Sequence, residues 1–227
     1  MVNDAVVTDA VLSPAPKAFL DELARERLLA IIRGTDPAAA IAAGLVLAES
    51  GIRFLEVSLV TIDALRVIAE MARRIPDSCV LGAGTVLTHE DVARAEEAGA
   101  QFIVTPALTD CIAASVARGI PVLAGAFTPT EVVTAMKMGA TAVKLFPSSL
   151  GGPAYLRALR DPLPGVPFVP VGGVNTALAA EYLAAGAVAV GVGTPLVGDA
   201  ARGGDLDALR ARAAEFRAVV DASRART

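Results

Sequence analysis

The sequence predicts a closed (β/α)8 barrel of the TIM type, one domain entered through a short N-terminal helix. Three observations predict it. Short apolar runs alternate with longer amphipathic stretches eight times within 227 residues, the pattern of parallel strands joined by crossover helices. Glycine stands just past the helical stretches in Glu97-Ala98-Gly99-Ala100, Lys137-Met138-Gly139-Ala140 and Ala184-Ala185-Gly186-Ala187, where a left-handed cap ends a helix shortly before the next strand. Gly99, Gly119 and Gly139 recur 20 residues apart, the length of one strand plus one helix. No glycine-rich dinucleotide fingerprint follows the first apolar run, which argues against an open doubly wound sheet.

Taken in order, residues 1–16 are small, polar and proline-punctuated (Ser13-Pro14-Ala15-Pro16) and read as a flexible tail ahead of a barrel domain over 17–227. Phe19, Leu20 and Leu23 give Lys17–Arg27 helical spacing. The expected strands are Leu28–Ile32, Phe54–Leu59, Val80–Gly82, Phe102–Thr105, Val122–Gly125, Ala142–Phe146, Phe168–Val171 and Ala187–Gly191. Helices are expected between them over Pro37–Glu49, Ile62–Ile75, His89–Ala98, Asp110–Ala117, Thr130–Met138, Pro153–Leu159 and Ala177–Ala185, with Leu206–Val220 closing the chain.

Composition removes several classes of function. With a net charge of −4 and no run of Lys or Arg, a nucleic-acid partner is not expected. Cys79 and Cys111 lie in separate elements, and His89 is the single histidine, so a metal centre has almost no ligands to draw on and no metal or other cofactor is expected. Asp4 and Asp9 stand where a signal peptide would be basic, and no apolar run approaches a transmembrane length, so neither export nor a membrane is expected. A reducing cytoplasm fits these features. The mean hydropathy of +0.58 is high for a soluble monomer and points to a buried subunit interface.

Chemistry in such a barrel sits at the carboxyl ends of the strands. Two charges lie inside apolar strands. Lys144 stands in Val143-Lys144-Leu145-Phe146-Pro147, and Glu56 in Phe54-Leu55-Glu56-Val57-Ser58. A buried ammonium is costly unless paired or able to release its proton, so such a lysine suits an amine nucleophile for a carbonyl. The structural alternatives are a strand-edge lysine that snorkels to water and an interior ion pair with Glu56. As a working pair, the lysine attacks a ketone while the carboxylate moves protons.

Gly172-Gly173-Val174 after the seventh strand and Gly193-Thr194 after the eighth stand where barrels form a phosphate cup from bare backbone N–H groups. Thr85, in Gly82-Ala83-Gly84-Thr85, is placed to bond a substrate carboxylate or keto oxygen, or to make a turn. Thr105-Pro106 ends the fourth strand. Arg33, before Gly34 at the end of the first strand, offers a cation for a carboxylate, or an exposed salt bridge. Thr88 reads as an N-cap and His89 as a solvated residue of the first turn. Tyr155 reads as packing.

Together these pieces resemble the class I, metal-independent 2-keto-3-deoxy-6-phosphogluconate (KDPG) aldolases and their 4-hydroxy-2-oxoglutarate (KHG) relatives, over residues 17–220. The stretches that carry the resemblance are Gly139-x-x-x-Val143-Lys144-Leu145-Phe146-Pro147-Ser148, Gly51-Ile52-x-x-x-Glu56-Val57-Ser58-Leu59, Gly82-Ala83-Gly84-Thr85-Val86, Thr105-Pro106, Phe127-Thr128-Pro129-Thr130-Glu131 and Val171-Gly172-Gly173-Val174. The resemblance implies that Lys144 forms a Schiff base with the C2 ketone and that Glu56 moves protons. It further implies that Phe146 packs against the pyruvyl unit, that Thr85 holds its carboxylate, that Pro106 lines the site, and that Gly172, Gly173, Gly193 and Thr194 take the phosphate. The products would be pyruvate and glyceraldehyde 3-phosphate, and the enzyme a homotrimer.

Two positions depart from the pattern. An arginine that binds the substrate carboxylate often follows the glutamate segment, and here that position is Val60, which leaves Arg33 as the candidate cation. Val171 stands where phosphogluconate enzymes often carry threonine before the glycine pair. Both features look like the sister 2-keto-3-deoxy-6-phosphogalactonate enzymes, whose substrate differs in configuration at C4. The expected activity is cleavage of the phosphogluconate compound, with the phosphogalactonate and 4-hydroxy-2-oxoglutarate activities as alternatives. The rivals outside the family are a phosphate-binding barrel isomerase or epimerase, which needs no Schiff base, and a non-catalytic scaffold, which gains nothing from two buried charges.

Overall fold

A computed structural model describes residues 14–224; of the expected tail over 1–16, residues 1–13 lie outside the described residues and 14–16 belong to the first helix. The chain opens with α1 (Pro14–Glu26) and continues β1 (Leu28–Ile32), α2 (Pro37–Glu49), β2 (Phe54–Ser58), α3 (Ala64–Ala72), β3 (Val80–Gly84), α4 (His89–Glu97), β4 (Phe102–Val104) and α5 (Cys111–Ala117). It then runs β5 (Val122–Ala126), α6 (Pro129–Lys137), β6 (Ala142–Leu145), α7 (Gly152–Arg160), β7 (Phe168–Pro170), α8 (Thr176–Ala184), β8 (Val190–Val192), α9 (Thr194–Val197) and α10 (Leu206–Arg224). The strands form one parallel eight-stranded sheet in the order β7-β6-β5-β4-β3-β2-β1-β8. A parallel bridge between Val171 and Gly191 joins β7 to β8, and the Val188 N–H donates to the Phe168 carbonyl at 3.0 Å. The sheet is a barrel, as the alternation of elements predicts.

Two apolar layers hold it. Outward-facing strand residues pack against the ring of helices, while inward-facing Leu29, Phe54, Phe102, Leu123 and Val169 fill the interior. Helix α1 closes the bottom by setting Phe19 and Leu23 into that interior cluster. The Phe19 ring lies edge-on to Phe54 at 5.4 Å and tilted against Phe102 at 5.1 Å, geometries that favour aromatic pairs beyond their buried area. The lower half of the barrel is a packed core, so access is from the opposite end alone.

Some element bounds differ from the sequence expectation, for local reasons. Helix α3 starts at Ala64 rather than Ile62, because the Thr61 and Ile62 N–H groups donate to the Ser58 and Gly34 carbonyls and Asp63 adopts a left-handed φ of 53°. Strand β3 runs through Gly84, two residues beyond the expected end at Gly82, pairing Gly82 with Glu56 and Gly84 with Ser58. Strand β8 begins at Val190 rather than Ala187, whose N–H caps α8 by donating to the Tyr182 carbonyl. Helix α1 starts at Pro14 rather than Lys17, since proline fits a first helical turn. The Thr88 cap of α4 is a reciprocal box with Asp91. No described helix is long and apolar enough to cross a membrane.

Candidate active site

Strand parity decides where the two charges point. In β2, Phe54 belongs to the interior cluster, so Glu56 two residues on faces the interior as well. In β6, Ala142 is interior, and Lys144 follows it. Glu56 is 1% exposed and Lys144 5%. Glycines stand on the neighbouring strands: Glu56 lies in register with Gly82, and Lys144 with Gly125, while Gly84 leaves the space that Glu56 occupies. A Cβ on Gly84 would overlap the Glu56 carboxylate, and one on Gly125 would overlap the Pro106 carbonyl. Glycine at these inward positions hollows the upper barrel where larger residues fill the lower half.

The Glu56 carboxyl is buried between opposing influences. Burial raises the Glu56 carboxyl above the ordinary carboxylate range, while the Lys144 and Arg33 cations pull it the other way. Its Oε2 is buried without a hydrogen-bond partner, an arrangement that costs on the order of 1–3 kcal/mol and recurs at catalytic groups. Glu56 and Lys144 make no ion pair within 4.0 Å among the described residues, so the interior salt bridge considered for the pair is not what buries them. Above Lys144, the Phe146 ring centroid lies 5.2 Å from Nζ.

A cavity of about 570 Å³ opens beside this pair, lined by Arg33, Phe146, Val171, Gly172, Gly173, Gly193 and Thr194 among others. Gly172 and Gly173 have φ of 110° and 73°, a conformation that a side chain would strain. A chain of bonds supports that turn from below. Tyr182 Oη donates to the Ser148 carbonyl at 2.7 Å, Ser148 Oγ donates to the Gly172 carbonyl at 3.0 Å, and the Ser148 N–H donates to the Val171 carbonyl at 2.9 Å.

Of the ten expected site residues, Arg33, Phe146, Gly172, Gly173, Gly193 and Thr194 share this cavity, and Lys144 and Glu56 adjoin it through Phe146 and the Arg33 field. Thr85 sits at the end of β3 with a left-handed φ of 59° and bonds Ser58 Oγ at 2.8 Å; such backbone strain in a non-glycine residue clusters at functional sites. Pro106 follows β4 with its carbonyl against Gly125. His89 and Asp110 are exposed 3.8 Å apart, away from the cavity. Tyr155 stacks on Phe127 at 4.8 Å and bonds its carbonyl, the packing role read from sequence. Ser148, Tyr182 and Arg202 went unread: the first two act through backbone contacts 24 and 34 residues away, and Arg202, itself exposed, joins the cavity lining from a turn whose Ala200 and Ala201 are buried. Among the described residues no group of three or more His, Cys, Asp or Glu is placed to hold a metal ion.

A family model described as KDPG and KHG aldolase matches residues 20–211. The chain belongs to the KDPG and KHG aldolase family. It is accordingly a class I aldolase, a carbon–carbon lyase. The "Probable 2-dehydro-3-deoxy-6-phosphogalactonate aldolase" of Rhizobium meliloti (strain 1021) is 36% identical over 197 residues, covering 86% of this chain and 92% of that protein. A native KDPGal structure superposes with a TM-score of 0.81 at 33% identity, over 87% of this chain and 95% of that one. The KDPG aldolase of Legionella pneumophila, with pyruvate captured as a covalent carbinolamine, has a TM-score of 0.76 at 27% identity, over 92% and 97% of the two chains. The aldolase fold thus brings a buried lysine, a buried glutamate and a glycine-rimmed cavity to the carboxyl ends of its strands.

Proposed function

We propose that this aldolase cleaves 2-dehydro-3-deoxy-6-phosphogluconate to pyruvate and glyceraldehyde 3-phosphate through an imine on Lys144. The observation that carries the reading is the burial of Lys144 and Glu56 at inward strand positions beside a glycine-rimmed cavity, without a direct ion pair. Lys144 Nζ attacks the C2 ketone to give a carbinolamine and, with loss of water, the imine. Glu56, acting through a water, takes the C4 hydroxyl proton; the C3–C4 electron pair moves into the imine and glyceraldehyde 3-phosphate leaves. The enamine is protonated at C3, and water releases pyruvate. A carboxyl raised by burial holds its proton more tightly than a free one, which suits a group that takes up and returns protons.

Phe146 packs against the pyruvyl unit, Thr85 and Pro106 border it, and Gly172, Gly173, Gly193 and Thr194 take the phosphoryl group on backbone N–H donors. Arg33 binds an anionic end of the substrate. Its place in the same cavity as the glycine pairs favours the phosphoryl end over the carboxylate for which Val60 leaves no cation. The reaction needs no metal or organic cofactor, since the imine is the electron sink. The exposed apolar side chains of Val60, Ile62 and Leu87 beyond β2 and β3 fit a homotrimer, and two buried free thiols fit a reducing cytoplasm.

Val171 supports a second reading, the phosphogalactonate epimer. It presents an apolar wall to the cavity, beside Ile31, where a threonine would offer a hydroxyl. Borohydride reduction with pyruvate tests the chemistry: a reduced adduct on the Lys144 peptide is expected, and its absence overturns the Schiff-base mechanism. Pyruvate release from the two C4 epimers side by side then separates the two substrates.

A further inference from the structure

Arg202 lines the same cavity as Arg33, from the far side of the chain and outside every motif of the site. It ends a short 3-10 turn, Ala200–Arg202, that follows α9. The turn is anchored: Ala200 and Ala201 are buried, the Arg202 N–H donates to the Asp199 carbonyl at 2.8 Å, and Gly203 terminates it with a φ of 89°.

The loop that carries Arg33 is locked to this turn. Gly34 packs so closely on Ala201 that a Cβ there would overlap the Ala201 carbonyl oxygen. Gly34 is held in turn by its N–H to Thr61 Oγ1 at 3.3 Å and by the Ile62 N–H on its carbonyl at 3.2 Å. The residue after Arg33 and the residue before Arg202 are therefore in contact, and the two guanidinium side chains leave from adjoining backbone.

Neither guanidinium has a carboxylate or carbonyl partner among the described residues, and no Asp or Glu lines the cavity. Among the described residues Arg25, Arg74, Arg94 and Arg157 likewise make no side-chain bond, but two other cavities that arginines line also hold a carboxylate, Asp63 and Asp91 in one and Glu26 in another. Several arginines are committed. Arg53, Arg217 and Arg224 surround Glu26, and Arg212 donates to the Leu196 and Val197 carbonyls. Both side chains are exposed and Arg33 also acts on the Glu56 carboxyl, so water screens their mutual repulsion; a doubly charged anion held at the cavity they share relieves what remains and gains from both cations.

We propose that Arg202 is a second cation of the phosphoryl end, and that with Arg33 it makes this site select a phosphoryl dianion over singly charged terminal groups. The inference rests on the aldolase reading for its substrate but not for its anion. A phosphate monoester has a second pKa of about 6 and is a dianion at neutral pH. Backbone N–H donors hold either charge state, whereas planar guanidinium forks reward the second negative charge. A substrate ending in a carboxylate, such as 4-hydroxy-2-oxoglutarate, offers one charge and leaves part of the repulsion unrelieved.

Arg202→Ala and Arg202→Lys, compared with wild type, test this through kinetics and through binding of inorganic phosphate by titration calorimetry. For Arg202→Ala, KM for the phosphorylated substrate and Kd for phosphate are expected to rise about tenfold or more, with kcat changing less than about threefold. The lysine variant is expected to recover part of both. In wild type, KM should fall as pH rises through about 6, and the alanine variant should flatten that profile. Phosphate affinity within twofold of wild type in Arg202→Ala overturns the proposal. If the wild-type protein traps no pyruvate and releases none, the aldolase substrate assignment has failed, and the phosphate titration still decides the role of Arg202.

Discussion

Gly84 carries no side chain in the space that the Glu56 carboxylate occupies: a Cβ built on β3 at that point falls within the carboxylate on β2. The glutamate is therefore positioned by an absence on the neighbouring strand. Gly84→Ala is expected to displace the carboxylate and lower kcat by about 100-fold or more, and to lower stability by about 1–3 kcal/mol through overpacking. Steady-state kinetics and thermal melting read the two effects separately. Wild-type kcat in this variant would show that the carboxylate works from a different position.

The raised Glu56 carboxyl has a sign that stability measurements can read. Above 4.5, the ordinary value, the unfolded chain releases this proton while the folded protein keeps it. The group's contribution is thus fully present below 4.5 and is lost as pH climbs through the raised folded value. Glutamine does not titrate. The stability of wild type relative to Glu56→Gln is expected to decline with rising pH, by about 1.4 kcal/mol for each tenfold difference in proton affinity between the two states. Denaturant titrations from about pH 4 to about pH 8 test this, and a flat difference would mean that burial leaves the carboxyl at its ordinary value.

Tyr182 reaches the glycine turn through Ser148. Tyr182→Phe leaves the Ser148 carbonyl without its donor, at an expected cost of about 1–3 kcal/mol. KM for the phosphorylated substrate should rise several-fold with kcat little altered, because the turn loosens while Lys144 stays in place. A fall in kcat with constant KM would instead connect this chain of bonds to the chemistry.

At the other end of the barrel, Phe19 seals the interior against Phe54 and Phe102. Phe19→Ala is expected to lower unfolding free energy by about 3–5 kcal/mol. Catalysis below the melting transition should change little, because this plug lies under the catalytic layer. Denaturant unfolding and kcat, measured on one preparation, separate the plug from the site.

Val171 is the wall residue where a hydroxyl would distinguish C4 epimers. Val171→Thr is expected to shift the ratio of kcat/KM for the phosphogluconate and phosphogalactonate compounds by about tenfold toward the former, the order that one added hydrogen bond supplies. An unchanged ratio would remove Val171 from epimer selection.

Lys144 and Glu56 were legible because a charge inside an apolar strand is a local anomaly, visible within a few residues of sequence. Strand parity then directs both inward without further information. The glycine pair before Val174 was legible for the same reason, as a turn signal following a strand. Strand β3 was less so. The expected strand stops at Gly82, yet the paired strand continues through Gly84, since the ladder to β2 and the room needed by Glu56 outweigh the poor strand propensity of glycine. Arg202 carried no local mark at all. An arginine on a polar turn is ordinary until Gly34 and Ala201 are seen in contact.

What the sequence by itself determined is the succession of strands and helices, the barrel they close into, and the identity of the two buried charges. All of these rest on periodicity and local chemistry. What only the tertiary structure decided is where empty space lies, which backbone donors are supported from below, and which cations share a cavity. Those properties belong to residues far apart in the chain, and closure of the barrel brings Arg33 beside Arg202 and Gly84 beside Glu56.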